Sequence, residues 1–286
     1  MVPTEEYLPQ AKPSLFSTIQ RTSSGILLAA FRFELAIRRV TFFQRALLMD
    51  LDTVMSQLQA LGTEQNVNIY QRHGAGENVF GVSFANLKKL KAKIKVDHDL
   101  AVQLWNTGNS DARFLAMMIA DASKVTPTIA TQWMKDVDYA LHGSEVAEVV
   151  PRSACGVAKM RQWRTQKSEY AKATGYSILS CLLKADADSV DETECRKIVK
   201  DIEAEIHRSP NRARYSMLMA IIMLMAIIAI GIYKTELTDE VLEAAERIGD
   251  VQVDHGETNC TTPKIGPYIN KALKRTSGKK PRIRTC

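Results

Sequence analysis

A seven-residue step occurs twice in this chain, 58 residues apart, and it limits the available folds more than any other feature. Trp105-Asn-Thr107-Gly-Asn-Ser110-Asp111 and Trp163-Arg-Thr165-Gln-Lys-Ser168-Glu169 share the pattern W-x-T-x-x-S-[DE]. In each copy the serine suits a helix N-cap, and the acid behind it sits in the first turn, where the helix dipole favours negative charge. Each tryptophan closes the preceding helix. His207-Arg-Ser209-Pro210 repeats the serine-capped opening more loosely, with Pro210 at the first helical position. Helix, short polar turn and helix, repeated, predicts an α-solenoid of paired helices.

The sequence around the copies agrees. Leu51, Val54, Met55, Leu58 and Leu61 form one apolar stripe, and Ser83 opens a helix with Phe84, Leu87, Leu90 and Ile94 on another. Asp97 starts a short helix ending at Trp105, and the next begins at Ser110. Further helices are expected near 127–141, 144–158, 168–184, 191–207, 212–233 and 238–248. Sustained period-two alternation is missing, and 14 Gly and 9 Pro are too few to punctuate many short strands. The expected fold is all-α, a superhelical stack of antiparallel helix pairs over residues 49–275. Residues 1–48 read as an extension: polar, proline-containing coil to residue 24, then an apolar helix carrying Arg32, Arg38, Arg39 and Arg45. An Arg-rich, acid-poor helix of this kind is also compatible with a targeting role.

Met217 to Tyr233 is 17 consecutive residues without a charge, about 26 Å as a helix. That is the lower limit of a membrane span. A helix surrounded by other helices needs no polar face, so burial within the stack is expected. Five cysteines without a C-x-x-C pair suggest neither a disulfide framework nor a zinc knuckle, so a reduced, intracellular protein is expected, in the cytoplasm or with the nucleoid or nucleus. Asp254, His255, Glu257 and Cys260 crowd seven residues, but Asp-His-Gly-Glu reads as a tight hydrogen-bonded loop rather than a metal site. Thr262 is expected to cap a helix restarting after it. His73-Gly-Ala-Gly-Glu-Asn lacks the preceding strand and following Gly-Lys-Ser/Thr of a phosphate loop. No metal or cofactor is expected.

Several stretches in combination resemble the DNA alkylation repair family, the AlkD-like glycosylases built from HEAT-like helical repeats. They are Phe80-Gly-Val-Ser-Phe-Ala-Asn-Leu-Lys-Lys-Leu-Lys, Asp99-Leu-Ala-Val-Gln-Leu-Trp105, Asp111-Ala-Arg113-Phe-Leu-Ala116, the Gly175-Tyr176-Ser177 helix and the stretch from Val253 to Pro263. The resemblance implies a HEAT-like solenoid whose concave face tracks duplex DNA backbone. It also implies excision of cationic N-alkylated bases, with a carboxylate stabilising the developing sugar cation, aromatic rings on the deoxyribose and an arginine on phosphate. Aligned through Val146 and Pro151, the family's Trp-x-x-x-Asp step falls on Gly143 and Ala147, and its arginine falls on Ala173 beside Lys172. Tyr170 matches an aromatic position. The resemblance therefore implies glycosylase activity degraded or absent, with Glu145 and Glu148 the carboxylates that a shifted alignment would promote. Asp138, five residues after Trp133, is a near miss.

Charge decides what could bind DNA. The last 13 residues, from Lys274, hold six basic side chains and no acid, whereas residues 49–273 hold 26 basic against 29 acidic. A negative core binds phosphates only through a segregated patch. The candidates are Arg152, Lys159, Arg161 and Lys172 around the second repeat copy, and Lys279, Lys280 and Arg282 in a tail, 276–286, expected to be disordered. The lysines of 86–95 read as a solvated face. Duplex DNA is the expected partner of a monomer; the alternative is a non-catalytic scaffold that binds another protein.

Overall fold

The computed structural model describes residues 49–229 and 235–266. The chain divides after Met49 into two units, and the second is described here. The expected extension helix over 25–48 and the basic tail lie outside the described residues. Twelve helices are defined among those described: α1 Leu51–Leu61, α2 Glu64–Arg72, α3 Phe84–Ile94, α4 His98–Asn106, α5 Ser110–Ile119 and α6 Pro127–Lys135, then α7 Ala140–Val149, α8 Gly156–Arg164, α9 Glu169–Ala185, α10 Glu192–Glu205, α11 Asn211–Ala229 and α12 Thr235–Ile248. Short 3-10 turns join several of them. The only extended pairing among the described residues is an isolated bridge between Gly62 and Val82.

The stack is superhelical and built of antiparallel pairs. Helices α3, α5, α7, α9 and α11 pack side by side in one row, and α4, α6, α8, α10 and α12 form a second. The second row is stitched by side chains that cross from one helix to the next. Trp105 packs on Trp133 with centroids 5.9 Å apart, Lys159 donates to Thr131, Arg161 pairs with Glu194, and Arg247 pairs with Glu203. Trp105, Trp133 and Trp163 are all buried between the rows. In α11 every residue from Met217 to Ile227 is buried, which is why this helix carries no polar face. No helix among the described residues is long and apolar enough to cross a membrane.

Both tryptophan-to-serine steps sit at helix–turn–helix corners, with one shift. Ser168 caps α9 by accepting from Ala171 N–H, but in the first copy Asn109 is the cap, accepting from Ala112 N–H, and Ser110 is already helical. The helices expected over 127–141 and 144–158 are in fact three: α6, α7 and α8. Tertiary bonds hold Asp136 to Asp138 out of the helix between the first two. Trp105 Nε1 donates to Asp136 Oδ2 at 3.0 Å, and Arg113 Nη1 donates to the Asp136 carbonyl at 3.0 Å and to Asp138 at 3.3 Å. Pro151 then ends α7 in a 3-10 turn. Helical residues resume at Ile265 and Gly266, and Thr262 bonds His255 Nε2 at 3.0 Å.

The acid of the first copy does more than sit near a helix end. Asp111 is wholly buried at the start of α5, and its two oxygens accept three successive main-chain N–H groups: Phe80 at 2.6 Å, Gly81 at 3.0 Å and Val82 at 2.7 Å. The carbonyls of the same loop are taken by Tyr70 Oη on Val82 and by Asn66 Nδ2 on Gly81. Gly81 has φ +79°, and a Cβ there would collide with Thr63 and Val67, so no other residue fits the turn. Burial pushes the Asp111 carboxyl above its ordinary value, and the three N–H groups pull it part of the way back. Asp111→Ala strands three donors in the interior and should cost on the order of 3–5 kcal/mol. Asp111→Asn, which turns one acceptor into a donor, should recover only part of that, as urea denaturation will show.

Candidate nucleic-acid interface

Cavities open along the first row, where α7, α9 and α11 lie next to each other. Gly143 in α7 faces Thr174 in α9, and a Cβ on Gly143 would lie 2.6 Å from Thr174 Oγ1. The two helices approach closely because neither side chain is large, and an indole at 143 would force them apart. Ala147, one turn further, is buried, and so is Ala173. The three positions aligned with the family's ring, carboxylate and guanidinium thus carry none of these groups.

Glu145 and Glu148 do reach the open face. They line a cavity of about 170 Å³ with Ser144, Ser180, Cys181 and Lys184. Glu145 is largely buried, and its carboxyl is pushed up to about 7, first by desolvation and then by the charge of Glu148, with Lys88 pulling the other way. Glu148 accepts from Cys181 Sγ at 3.7 Å, and burial raises that thiol to about 12. Burial and the neighbouring Glu148 thus favour the protonated, hydrogen-bond-donating form of Glu145, which suits it to recognition or proton transfer more than to holding a negative charge.

The candidate cations separate into two groups. Lys159 is buried, donating to Thr131 Oγ1 at 2.6 Å and to Gln162 at 3.1 Å. Arg161 grips both oxygens of Glu194, and Lys172 pairs with Glu205 at 2.7 Å. These three link neighbouring helices within the protein. Arg152 is exposed, its Nε bonded to the carbonyl of Glu148 beside the cavity. Lys279, Lys280 and Arg282 lie outside the described residues. Asp138, the near miss, pairs with Arg113 at 3.3 Å.

Sequence reasoning did not bring together two sets of residues found here. Lys88 and Lys91 on α3 and Lys95 just past its end are all exposed and without an ion pair to any described residue, and Lys88 is close enough to act on Glu145. The signal was the α3 lysine run itself, whose row could not be told from its composition. The second set, Arg212, Tyr170, His73 and His255, surrounds a smaller cavity of about 90 Å³. His255 arrives on the stretch Val251–Pro263, which is clamped to α11: Asn211 bonds the Asp254 main chain in both directions, at 2.6 and 2.8 Å, and Arg214 donates to the Gln252 carbonyl at 2.7 Å. Within it Asp254 closes a turn onto Gly256 N–H at 2.7 Å, and among the described residues no group of three His, Cys, Asp or Glu is arranged to hold a metal ion.

Comparison with known proteins settles the kinship. A sequence model described as the DNA alkylation repair enzyme family matches residues 54–223. The chain belongs to that family. It is 27% identical over 238 residues to an uncharacterized protein of Listeria innocua, Lin0241, covering 80% of this chain and 100% of that protein. A second relative, the uncharacterized protein Lmo0209 of Listeria monocytogenes, is also 27% identical, over 237 residues. Among solved structures, one described as representing a new family related to the HEAT-like repeat DNA glycosylases, with affinity for branched DNA structures, is similar with a TM-score of 0.72. It shares 27% identity and covers 80% of this chain and 95% of that one.

The raised carboxyl gives a test of the site's electrostatics. A carboxyl whose folded value exceeds its unfolded 4.5 binds more protons when folded, so its contribution is complete at low pH and is lost as pH rises through about 7. Glu145→Gln should accordingly stabilise the protein at pH 8 by on the order of 2 kcal/mol, with the gain vanishing by about pH 4.5. Thermal unfolding of both proteins across that range measures it.

Proposed function

We propose that this protein binds branched DNA through the cavity-bearing row of its helical stack and does not excise alkylated bases by the mechanism of its glycosylase relatives. The observation that carries the second half is the Gly143–Thr174 packing, which leaves no room for a ring where the resemblance puts one, together with Ala147 and Ala173. Support for the first half comes from the similar structure with affinity for branched DNA and from exposed cations that make no ion pair to any described residue. Lys88 on α3 acts on Glu145, Lys184 on α9 lines its cavity and Arg152 follows α7, while Lys91 is further along α3 and Lys95 caps its end; all are exposed. In this reading they take phosphates, joined by Lys279, Lys280 and Arg282 of the tail. Lys159, Arg161 and Lys172 contribute through stability instead.

Electrophoretic mobility shift with a four-way junction and a linear duplex of equal length tests the reading. The junction should bind tighter. Its affinity should fall with salt at a log–log slope of about −0.9 per contacted phosphate, and the double change Lys88→Ala, Lys91→Ala should flatten that slope by about 1 to 2. Incubation with N-methylated duplex should release no free base. Base release abolished by Glu145→Gln or Glu148→Gln would return these carboxylates to catalysis, and no affinity for either DNA at low salt would leave a protein-binding scaffold.

A further inference from the structure

The small cavity at Arg212 is the waist of a longer trench. On one side it shares His73, Tyr215, Thr258 and Cys260 with an open cavity of about 840 Å³ between α2, α11 and the stretch Val251–Pro263. On the other it shares Ser144, Ser177 and Tyr215 with the cavity of about 170 Å³ that Glu145 lines. The three run into one another, and Tyr215 stands in the wall of each. Two arginines lie along this path. Arg72, exposed at the end of α2, lines the large cavity, and Arg212, half-buried near the start of α11, lines the waist. Neither makes an ion pair to any described residue. Glu169, the carboxylate beside Arg212, accepts its main-chain N–H at 2.6 Å, and Glu257 on the wall of the large cavity is exposed and pairs with no described residue either. The charge of Arg212 is felt across the waist, where it helps to hold the His255 imidazole below its ordinary value, after desolvation. Rings share the walls: Tyr215 and His255 meet edge to face at 5.6 Å, and Tyr170 lies further along.

Guanidinium groups and aromatic rings along one recessed path match the chemistry of a single nucleic-acid strand, whose phosphates take the cations and whose unpaired bases have faces free to stack. A duplex offers its phosphates too, but its bases are already stacked on each other and give recessed rings nothing to hold. The waist sets the same limit. Its volume, about 90 Å³, is worth about three waters, which admits the phosphate or sugar of one strand and excludes a base pair. We propose that this trench holds the unpaired strand of a branched DNA, with Arg72 and Arg212 on its phosphates, so that the preferred substrate is an open fork or flap and not a fully paired junction. The proposal deepens the DNA-binding reading by naming the kind of branch, and it rests on that reading for the paired arms alone.

Fluorescence anisotropy with the full chain tests this on four DNAs: a fork with two unpaired thymidine arms, the same fork with both arms paired, a four-way junction and a single-stranded thymidine oligomer. The open fork should bind about tenfold tighter than the paired one. Arg72→Met and Arg212→Met should each remove part of that preference and flatten the open fork's salt slope by about 0.7, the value for one phosphate on a single strand, with the four-way junction's affinity unchanged. Arg212→Lys should keep the slope, and thermal unfolding should not move, because the bond to Glu169 is made by the main chain. Equal binding of the open and paired forks overturns the proposal, and so does a preference that survives both arginine changes. Arginine changes that weaken the four-way junction as much as the open fork place these side chains on duplex, which overturns it as well. A junction bound tighter than linear duplex, without any gain from unpaired arms, leaves the branched-DNA reading standing and removes this one. An oligomer bound through Arg72 and Arg212, with no preference for any junction over linear duplex, does the reverse.

Discussion

Three main-chain N–H groups converge on one buried carboxylate, and the amino-terminal end of the stack depends on that convergence. The loop at Phe80 to Val82 joins α2 to α3 without secondary structure of its own, and it is interior at Gly81 and Val82. Buried polar main chain needs partners. Asp111 supplies them from α5, two helices further along, so loop and helix fix one another. The second repeat copy uses its acid the same way: Glu169, at the start of α9, accepts the Arg212 N–H at the start of α11. In both copies the acid after the serine reaches beyond its own helix to a neighbouring corner of the row, Asp111 back to the loop before α3 and Glu169 forward to the start of α11.

That device explains what was legible in the sequence and what was not. The repeated step located both corners, Ser83 and Asp97 announced the caps of α3 and α4, and the uncharged run from Met217 announced the burial of α11, because caps, periodicity and apolar runs are local signals. The break between α6 and α7 is not local. Asp136 to Asp138 leave the helix because Trp105 and Arg113, more than twenty residues away, take their polar groups. No window of sequence contains that competition. The same holds for the site: nothing near Arg212 in the chain announces Tyr170 or His255, which meet it only because Asn211 and Arg214 fasten the later stretch to α11.

Charge was the least legible property of all. A basic run on a helix says nothing about which row the helix joins. Around the second repeat copy the run belongs mostly to α8 and the start of α9, and its members face the acids of α10: Arg161 on Glu194, Arg164 on Asp201, Lys172 on Glu205. The acidic stretch that follows in sequence is their counterpart, so the alternation of sign along the chain becomes pairing between neighbouring helices. The lysines of α3 make no ion pair to any described residue and stay exposed.

The electrostatics of the open row also bear on which chemistry it could support. Stabilising a developing sugar cation requires a carboxylate that is charged and aimed at the reacting carbon. Glu145 is deterred from ionising by desolvation and by Glu148, so much of its population near neutrality is uncharged. Glu148 accepts from the Cys181 thiol, on the α9 side of the cavity. Gly143 lets α7 and α9 close upon each other, which removes the space a stacking ring would need to press a deoxyribose against either acid. What remains is a protonatable carboxyl, a set of hydroxyls and the Arg212 guanidinium, groups able to hydrogen-bond and carry charge, which is what the proposed DNA-binding reading asks of this row.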